Sequence, residues 1–438
     1  MTTISEFEAA VSARTLSVGV VGLGYVGLPL AVGYAETGFR AVGFDLDEAR
    51  IKRLSSGHSH IEDIESSRIA AVVNAGKMLA TSDLADLSTV DVIFVCVPTP
   101  HDDQKTPDLS FIRSASASVA SVLRQGMLII LQSTTSPGTT TQIMQPILEE
   151  TGLRAGVDFM LAFSPERVDP GNVRFTVRNT PKVVGGVNEQ STECARALLE
   201  AVMDEPGLVT CVSSPDAAEM TKLLENTYRA VNIALVNELA VLSEKMGIDL
   251  WEVIAAASTK PFGFQAFWPG IGPGGHCIPV DPYYLSWKAR AYDFQTKFIE
   301  LAADTNLGMA DYVCLRVSRF LNRRGHNMNG AKVLALGVAF KEGVSDTRNS
   351  RAVQVIKLLE AEGAIVDYAD PMVPSITISG RERQSINPDA IDPTDYDVVL
   401  VLVKHLAWPL GKWIESGAQI FDAVNAGGVP TNDQIERL

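Results

Sequence analysis

The sequence predicts an α/β protein with two doubly wound parallel-sheet domains, joined by a long central helix and a helical dimerisation region. Three observations predict it. A short apolar run, Leu16–Val21, opens into the turn Gly22-Leu23-Gly24-Tyr25-Val26-Gly27. A helical pattern then holds from Ser213 to about Met246. Near the end, Lys332–Leu336 again runs as a strand into a glycine, Gly337. Three domains are read at 1–212, 213–325 and 326–438.

The length of 438 residues exceeds one ordinary domain. Hydrophobic residues make up 46% and charged ones 20%, enough to build real cores. A net charge of −15 argues against nucleic acid as a main partner, though it leaves room for a basic pocket. Cys96, Cys194, Cys211, Cys277 and Cys314 are scattered, with no CxxC pair and no zinc spacing. That usage predicts no metal and a reduced, cytoplasmic compartment. Met1–Arg14 carries Glu6 and Glu8 and no long apolar run, so it does not read as a signal peptide. No stretch reaches the roughly 18 apolar residues that span a membrane, so no membrane partner is expected.

The first strand, turn and helix form a dinucleotide-binding unit. Leu28–Thr37 reads as the helix, and Arg40–Phe44 as the next strand, ending at Asp45. Gly22 to Asp45 is 23 residues, close to the fingerprint spacing. Gly22 makes the tight turn, Gly24 admits a pyrophosphate, and Gly27 lets helix pack on strand. The helix N-terminus offers amides and a positive dipole end to phosphate. Asp45 accepts from a ribose diol and repels a 2′-phosphate, so NAD is favoured over NADP. Tyr25, Val26 and Arg50 join the cofactor set.

Later strands exit into polar loops. Val90–Val97 leads to Pro98 and Thr99, Met127–Gln132 to Ser133 and Thr134, and Phe159–Phe163 to Ser164-Pro165-Glu166-Arg167. In open parallel sheets ligands sit at the carboxyl ends of strands, so these exits belong to one crevice. Ordinary turn chemistry is the alternative for each.

The central helix has two faces. Leu224, Tyr228, Val231, Leu235, Leu239, Leu242 and Met246 form an apolar stripe, suited to a homodimer or higher homo-oligomer. Lys222 and Asn226 are i,i+4 neighbours elsewhere on it, fitting either a site or a solvated face. A second helix, Leu250–Ala257, leads to the loop Pro269–Leu285. Its glycines and prolines leave no room for a regular helix or strand. Cys277 lies within it, either as a nucleophile in a glycine-lined turn or as an inert buried thiol. The last third reads as a second Rossmann-like unit without GxGxxG. Lys341 and Arg348 there suit an anionic ligand such as a diphosphate, or form a surface cluster with Asp346.

The order of these parts, with VGLGYVGLPLA, SPERVDPG, KLLENTYRAVN, GGHCIPVDPYYL and FKEGVSDTR, resembles the UDP-glucose/GDP-mannose dehydrogenase family from about Leu16 to Asn425. The resemblance implies a four-electron oxidation of a UDP-sugar at C6, with two NAD⁺ as hydride acceptors, for cell-surface polysaccharide precursors. It implies that Cys277 forms a thiohemiacetal and then a thioester, which water hydrolyses to the uronic acid. By the matching motifs, Lys222 stabilises the developing alkoxide, Asn226 and Asp281 orient water and substrate, Glu166 is the general base, and Thr134 assists. Arg167, Gly274, Phe340 and Lys341 meet the substrate, and Arg348 reaches the cofactor.

The sequence departs from the UDP-glucose branch at Pro170, where that branch has a second acid, and at Pro261, where it has an arginine lent by a neighbouring subunit. Lys260 is the candidate replacement cation. SPERVDPG with TKPFGF looks most like the UDP-N-acetylglucosamine 6-dehydrogenase branch; UDP-N-acetylmannosamine and UDP-glucose are the alternative substrates. A one-step β-hydroxyacid dehydrogenase and a non-catalytic NAD-binding regulator are the readings from other classes. NADH formed per substrate separates them: two, one and none.

Overall fold

The computed structural model describes residues 3–61, 64–102, 106–169, 171–172, 174–275, 278–405, 408–428 and 431–438. The chain divides into two compact units. The first is Met1–Glu225 with Trp287–Asp293; the second is Asn226–Ser286 with Phe294–Leu438.

Among the described residues, the first unit holds eight strands: β1 (Ser17–Val21), β2 (Arg40–Phe44), β3 (Met78–Thr81), β4 (Val92–Val95), β5 (Leu128–Leu131), β6 (Met160–Phe163), β7 (Lys182–Gly186) and β8 (Val209–Cys211). They lie in the order β3-β2-β1-β4-β5-β6-β7-β8. All neighbours are parallel except β6 and β7. The order reverses between β1 and β4, where a doubly wound sheet opens its ligand crevice. β4 and β5 are buried along their whole lengths, as expected of strands covered on both faces. Leu128 and Ile130 join the core on one face, Ile129 and Leu131 the core on the other.

The second unit repeats this plan. β9 (Lys332–Leu336), β10 (Ile365–Ala369), β13 (Val398–Val401), β14 (Ile420–Asp422) and β15 (Ile435–Arg437) form a parallel sheet, in the order β10-β9-β13-β14-β15. An antiparallel hairpin, β11 (Ser375–Ile378) and β12 (Arg381–Gln384), stands apart. Asp370 follows β10 as Asp45 follows β2. Its carboxylate is taken up by the protein: Val338 and Ala339 N–H donate to Oδ2, Met372 and Val373 N–H to Oδ1. His405 Nε2 also stands 3.3 Å away. Both acids thus brace the glycine turn after the first strand of their unit and their own turn, Asp45 through Leu23 and Asp47 N–H and Asp370 through four N–H donors.

The central helix runs from Pro215 to Met246. Its apolar stripe is exposed: Leu224, Tyr228, Leu235, Leu239, Leu242 and Met246 all face outward, and Val231 is half-buried. The helix Leu250–Ala257 falls where its pattern put it, begun by Asp249, whose side chain accepts from Trp251 and Glu252 N–H. One expectation is corrected. Pro269–Leu285 does admit regular structure, since a helix begins at Asp281 and continues to Ala289. Pro282 sits in its first turn, where the missing N–H would have no partner in any case. Among the described residues no helix is long and apolar enough to cross a membrane.

Candidate active site

The first turn is built as the glycines dictate. Gly22 has φ +91°, and a Cβ there would meet the Cys96 carbonyl oxygen at 2.6 Å. A Cβ on Gly27 would stand 1.9 Å from the Gly22 carbonyl oxygen, so only glycine lets the helix Gly27–Glu36 pack this closely. Gly24 faces open space, with nothing within 4 Å of a Cβ. The turn is therefore closed on the sheet side and open where a pyrophosphate approaches. Val26 immediately precedes the helix, and Tyr25 is exposed beside it.

Asp45 secures this turn from β2. Its Oδ2 accepts from Leu23 N–H at 2.8 Å and from Arg50 Nη1 at 2.6 Å, and its Oδ1 from Asp47 N–H at 3.0 Å. Burial pushes its carboxyl up, but these donors outweigh it and hold Asp45 below the usual carboxylate range. An ionised acceptor beside an open glycine turn fits a ribose diol and disfavours a 2′-phosphate. Arg50, the cation nearest, is occupied by Asp45 and stands 3.7 Å from Asp47.

The β4 and β5 exits meet as expected of neighbours. Ser133 Oγ donates to the Val97 carbonyl at 2.8 Å, and Thr99 Oγ1 to the Thr134 carbonyl at 2.8 Å. Pro98, Thr99, Ser133 and Thr134 thus share one edge of the sheet. Sequence reasoning missed Glu219, which accepts from Gly138 N–H at 2.7 Å, and from Thr140 N–H and Oγ1 at 2.9 and 2.7 Å. It ties the central helix to the segment after Thr134. Burial pushes its carboxyl up to about 7.

Glu166 sits at the β6 exit, its side chain 10% exposed. Oε1 accepts from Arg167 and Val168 N–H at 2.8 and 3.0 Å. Oε2 accepts from Gln132 Nε2 at 3.0 Å and faces Lys182 Nζ at 3.4 Å. Its backbone carbonyl accepts from Lys222 Nζ at 2.7 Å. Burial opposes the charge, but Lys182, the two backbone donors and Lys222 hold Glu166 below the carboxylate range. Lys222 is buried, which settles its face of the helix as packed rather than solvated. Arg167 is bound to Glu225 at 2.6 Å and to the Pro181 carbonyl at 2.8 Å.

In the second unit, Asn226 is also buried, and its Nδ2 donates to Asp281 Oδ2 at 2.5 Å. The glycine loop lies directly on Phe340. A Cβ on Gly274 would come within 3.0 Å of the Phe340 Cβ, and one on Gly275 (φ +85°) within 2.9 Å of its ring. Asn349 Nδ2 donates to the Gly275 carbonyl at 3.1 Å, and Gly275 N–H to the Arg348 carbonyl at 3.1 Å. The Arg348 side chain is exposed and paired with Asp346 at 2.5 Å. Beside this loop is a cavity of about 570 Å³, lined by Trp251, Trp268, Phe340, Lys341, Arg351 and Lys404 among others. Trp251 and Trp268 stack at 5.2 Å with an interplanar angle of 12°. Apolar faces beside several cations suit a nucleotide base and its phosphates. Lys260 is exposed, 5.0 Å over the Phe262 ring.

Cys277 lies outside the described residues. Burial pushes the thiols of Cys194 and Cys314 up to about 11 and raises Cys96 further; Cys211, though exposed, is raised by partial burial and by Glu193.

Comparison with known proteins then places the chain. Three segments match models of one family: the "UDP-glucose/GDP-mannose dehydrogenase family, NAD binding domain" over 16–203, its central domain over 216–307, and its UDP binding domain over 334–426. The chain belongs to the UDP-glucose/GDP-mannose dehydrogenase family. It is thus an NAD-dependent nucleotide-sugar dehydrogenase. A UDP-N-acetyl-D-glucosamine 6-dehydrogenase of Pseudomonas aeruginosa is 38% identical over 82% of this chain and 84% of its own length. A UDP-N-acetyl-D-mannosamine dehydrogenase of Pyrococcus horikoshii is 37% identical over 82% of this chain and 84% of its own. A solved UDP-D-ManNAc dehydrogenase structure from Pyrococcus horikoshii superposes with a TM-score of 0.86 at 33% identity, covering 96% of this chain and 99% of that one. The two curated relatives are named for different sugars.

Proposed function

We propose that this dehydrogenase converts UDP-N-acetylglucosamine to its uronic acid through a cysteine thioester. The observation that carries the reading is the pairing of an NAD-type turn, with Asp45 ionised beside it, with a chain that matches the family throughout. NAD, held by the Gly22–Gly27 turn and Asp45, supplies hydride acceptance when bound. The chain's own groups do the rest. Lys222 steadies negative charge on the sugar oxygen as C6 gives up hydride. Cys277 adds to the resulting aldehyde, and the adduct's oxidation leaves a thioester, which is activated toward water. Glu166 serves the hydrolysis, and Asn226 with Asp281 orients water and substrate oxygens. Thr134 assists at the reacting carbon.

Lys341, Gly274 and Phe340 are assigned to the substrate, with the tryptophan-lined cavity as the seat of its uridine diphosphate. Arg167 is assigned to hold the substrate loop, Lys260 to supply a cation to a neighbouring subunit, and Arg348 to meet the cofactor. The working parts are taken as 1–212, 213–325 and 326–438, in a cytoplasmic enzyme. An N-acetylated sugar is supported by the names of both curated relatives, and the gluco epimer by SPERVDPG with TKPFGF. UDP-N-acetylmannosamine keeps the amide on the other ring face and is the second substrate reading. A pocket built to bond an acetamide leaves buried polar groups unpaired with a plain sugar, which costs orders of magnitude in kcat/KM.

The test is NADH formed from UDP-N-acetylglucosamine, UDP-N-acetylmannosamine and UDP-glucose at equal, sub-saturating concentration. Two NADH per sugar and a preference for the first are expected. A preference for UDP-glucose would overturn the sugar assignment, and one NADH per sugar would overturn the thioester route.

The outward apolar stripe of the central helix is assigned to a second copy of the chain. Six large side chains on one helix face, from Leu224 to Met246, are more than a soluble monomer ordinarily leaves to water. Light scattering at micromolar concentration should give at least a dimer; a monomer there would rule this out.

A further inference from the structure

We propose that Lys182 is a positioning residue for the reaction, holding the Glu166 carboxylate as an oriented anion at the edge of the crevice. The inference rests on Glu166 acting in the chemistry, as proposed above. It starts from the sheet. β7 is the strand that runs against its neighbour: Ala162 pairs with Gly186 and Phe163 with Gly185, antiparallel. Every strand from β1 to β6 ends at the ligand edge, whereas β7 begins there. Carrying the β6–β7 register three residues on sets Lys182, the first residue of β7, opposite Glu166. The reversal at β7, which β8 follows in parallel, thus delivers a cation to the edge where β1 to β6 end.

Burial makes this placement costly unless the charge is used. The Lys182 side chain is 1% exposed, and its Nζ pairs with Glu166 Oε2 at 3.4 Å. Removing a cation from water is costly, and a carboxylate offsets that cost only at close range. Around Glu166, the other groups are fixed too. Gln132, at the end of β5, turns its amide so that Nε2 donates to Oε2 while Oε1 lies 3.8 Å from Cys96 Sγ. Lys222, on the central helix, holds the Glu166 carbonyl rather than its carboxylate. The Arg167 guanidinium is committed to Glu225 and to the Pro181 carbonyl. The Cys96 thiol is raised by burial and then by Glu166, so it stays neutral beside the carboxylate. Among the described residues, Lys182 is therefore the cation that faces the carboxylate oxygens directly.

A hydrocarbon in its place leaves Glu166 buried with a charge and fewer partners, so it takes up a proton within the working pH range. Removing an opposite charge at this distance moves a carboxyl up by about 1–3 pH units. The experiment is kcat against pH for the full chain with NAD and the UDP-sugar saturating. For K182M the acid limb should move up by about 1–3 units, with NAD affinity unchanged and activity recovering at high pH. K182R, which keeps the charge, should return the limb most of the way. If Lys182 only supports packing, K182M lowers kcat evenly at all pH and the limb stays, and the proposal is wrong. E166Q is the separate arm. Full activity in E166Q removes Glu166 from the chemistry; impaired E166Q with an unmoved limb in K182M removes only the role of Lys182. Should K182M fail to fold at neutral pH, E166Q/K182M decides the pairing. Recovery of folding in the double variant supports it, because neither charge is then left alone; no recovery overturns it.

Discussion

Cys277→Ala is expected to form no uronic acid while binding NAD as the parent does. The thioester route needs a nucleophile that also leaves well, and a thiolate does both. Alanine offers neither lone pair nor leaving group, so the sugar stops at the aldehyde. A single-turnover mixture should then give one NADH per sugar where the parent gives two. No other described cysteine can stand in. Cys96, Cys194 and Cys314 are buried with thiols pushed to about 11 or above, far from the roughly 8.5 of a free thiol. Cys211 is exposed on β8, but partial burial and Glu193 raise its thiol too. Cofactor binding is spared because the Gly22–Gly27 turn and Asp45 lie in a different stretch of chain. Acid formation at the parent rate in the variant would take Cys277 out of the mechanism.

What the sequence disclosed follows the range over which its signals act. The turn at Gly22–Gly27 is local: strand, glycines, helix and acid follow within one βαβ unit, and all stand where the pattern put them. The helix Leu250–Ala257 and the strand Lys332–Leu336 were bounded correctly by their apolar periodicity and flanking residues. β3, β7, β8, β11, β12, β14 and β15 were not anticipated, because each is three to five residues long and carries too little pattern to separate from a loop. Within the site, Glu166 and Lys222 were legible as motif residues, but their bond was not. It joins a strand exit to a helix across 56 residues of chain. Lys182 and Glu219 were missed altogether. Each is a charged residue among apolar or ordinary helical neighbours, and its role exists only once the antiparallel step of β7, or the packing of the helix on the β5 exit, has been made. Lys222 and Asn226 could equally have been a solvated pair until their burial was seen.

Lys222→Ala is expected to lower kcat by about 10²–10³, with KM for the sugar and affinity for NAD little changed. The magnitude separates two roles. If Lys222 does no more than hydrogen-bond the Glu166 carbonyl, its loss costs about one ordinary bond, on the order of 1–3 kcal/mol of stability, and little chemistry. A cation that meets charge developing on the sugar oxygen acts mostly in the transition state, so its loss falls on kcat rather than on binding. The second is the role proposed above, and two features support it. Lys222 is 9% exposed, and its 2.7 Å bond to a backbone carbonyl fixes the ammonium without neutralising it. Two of its three N–H donors remain for a ligand. Lys222→Arg is not a conservative change here, because a planar fork cannot occupy the place of a compact point charge. Added methylammonium should restore part of the lost rate to Lys222→Ala, since the alanine leaves space for a small cation at the same carbonyl. A variant that is merely less stable, with kcat near the parent's where it is folded, would leave Lys222 a structural residue and shift alkoxide stabilisation to another group.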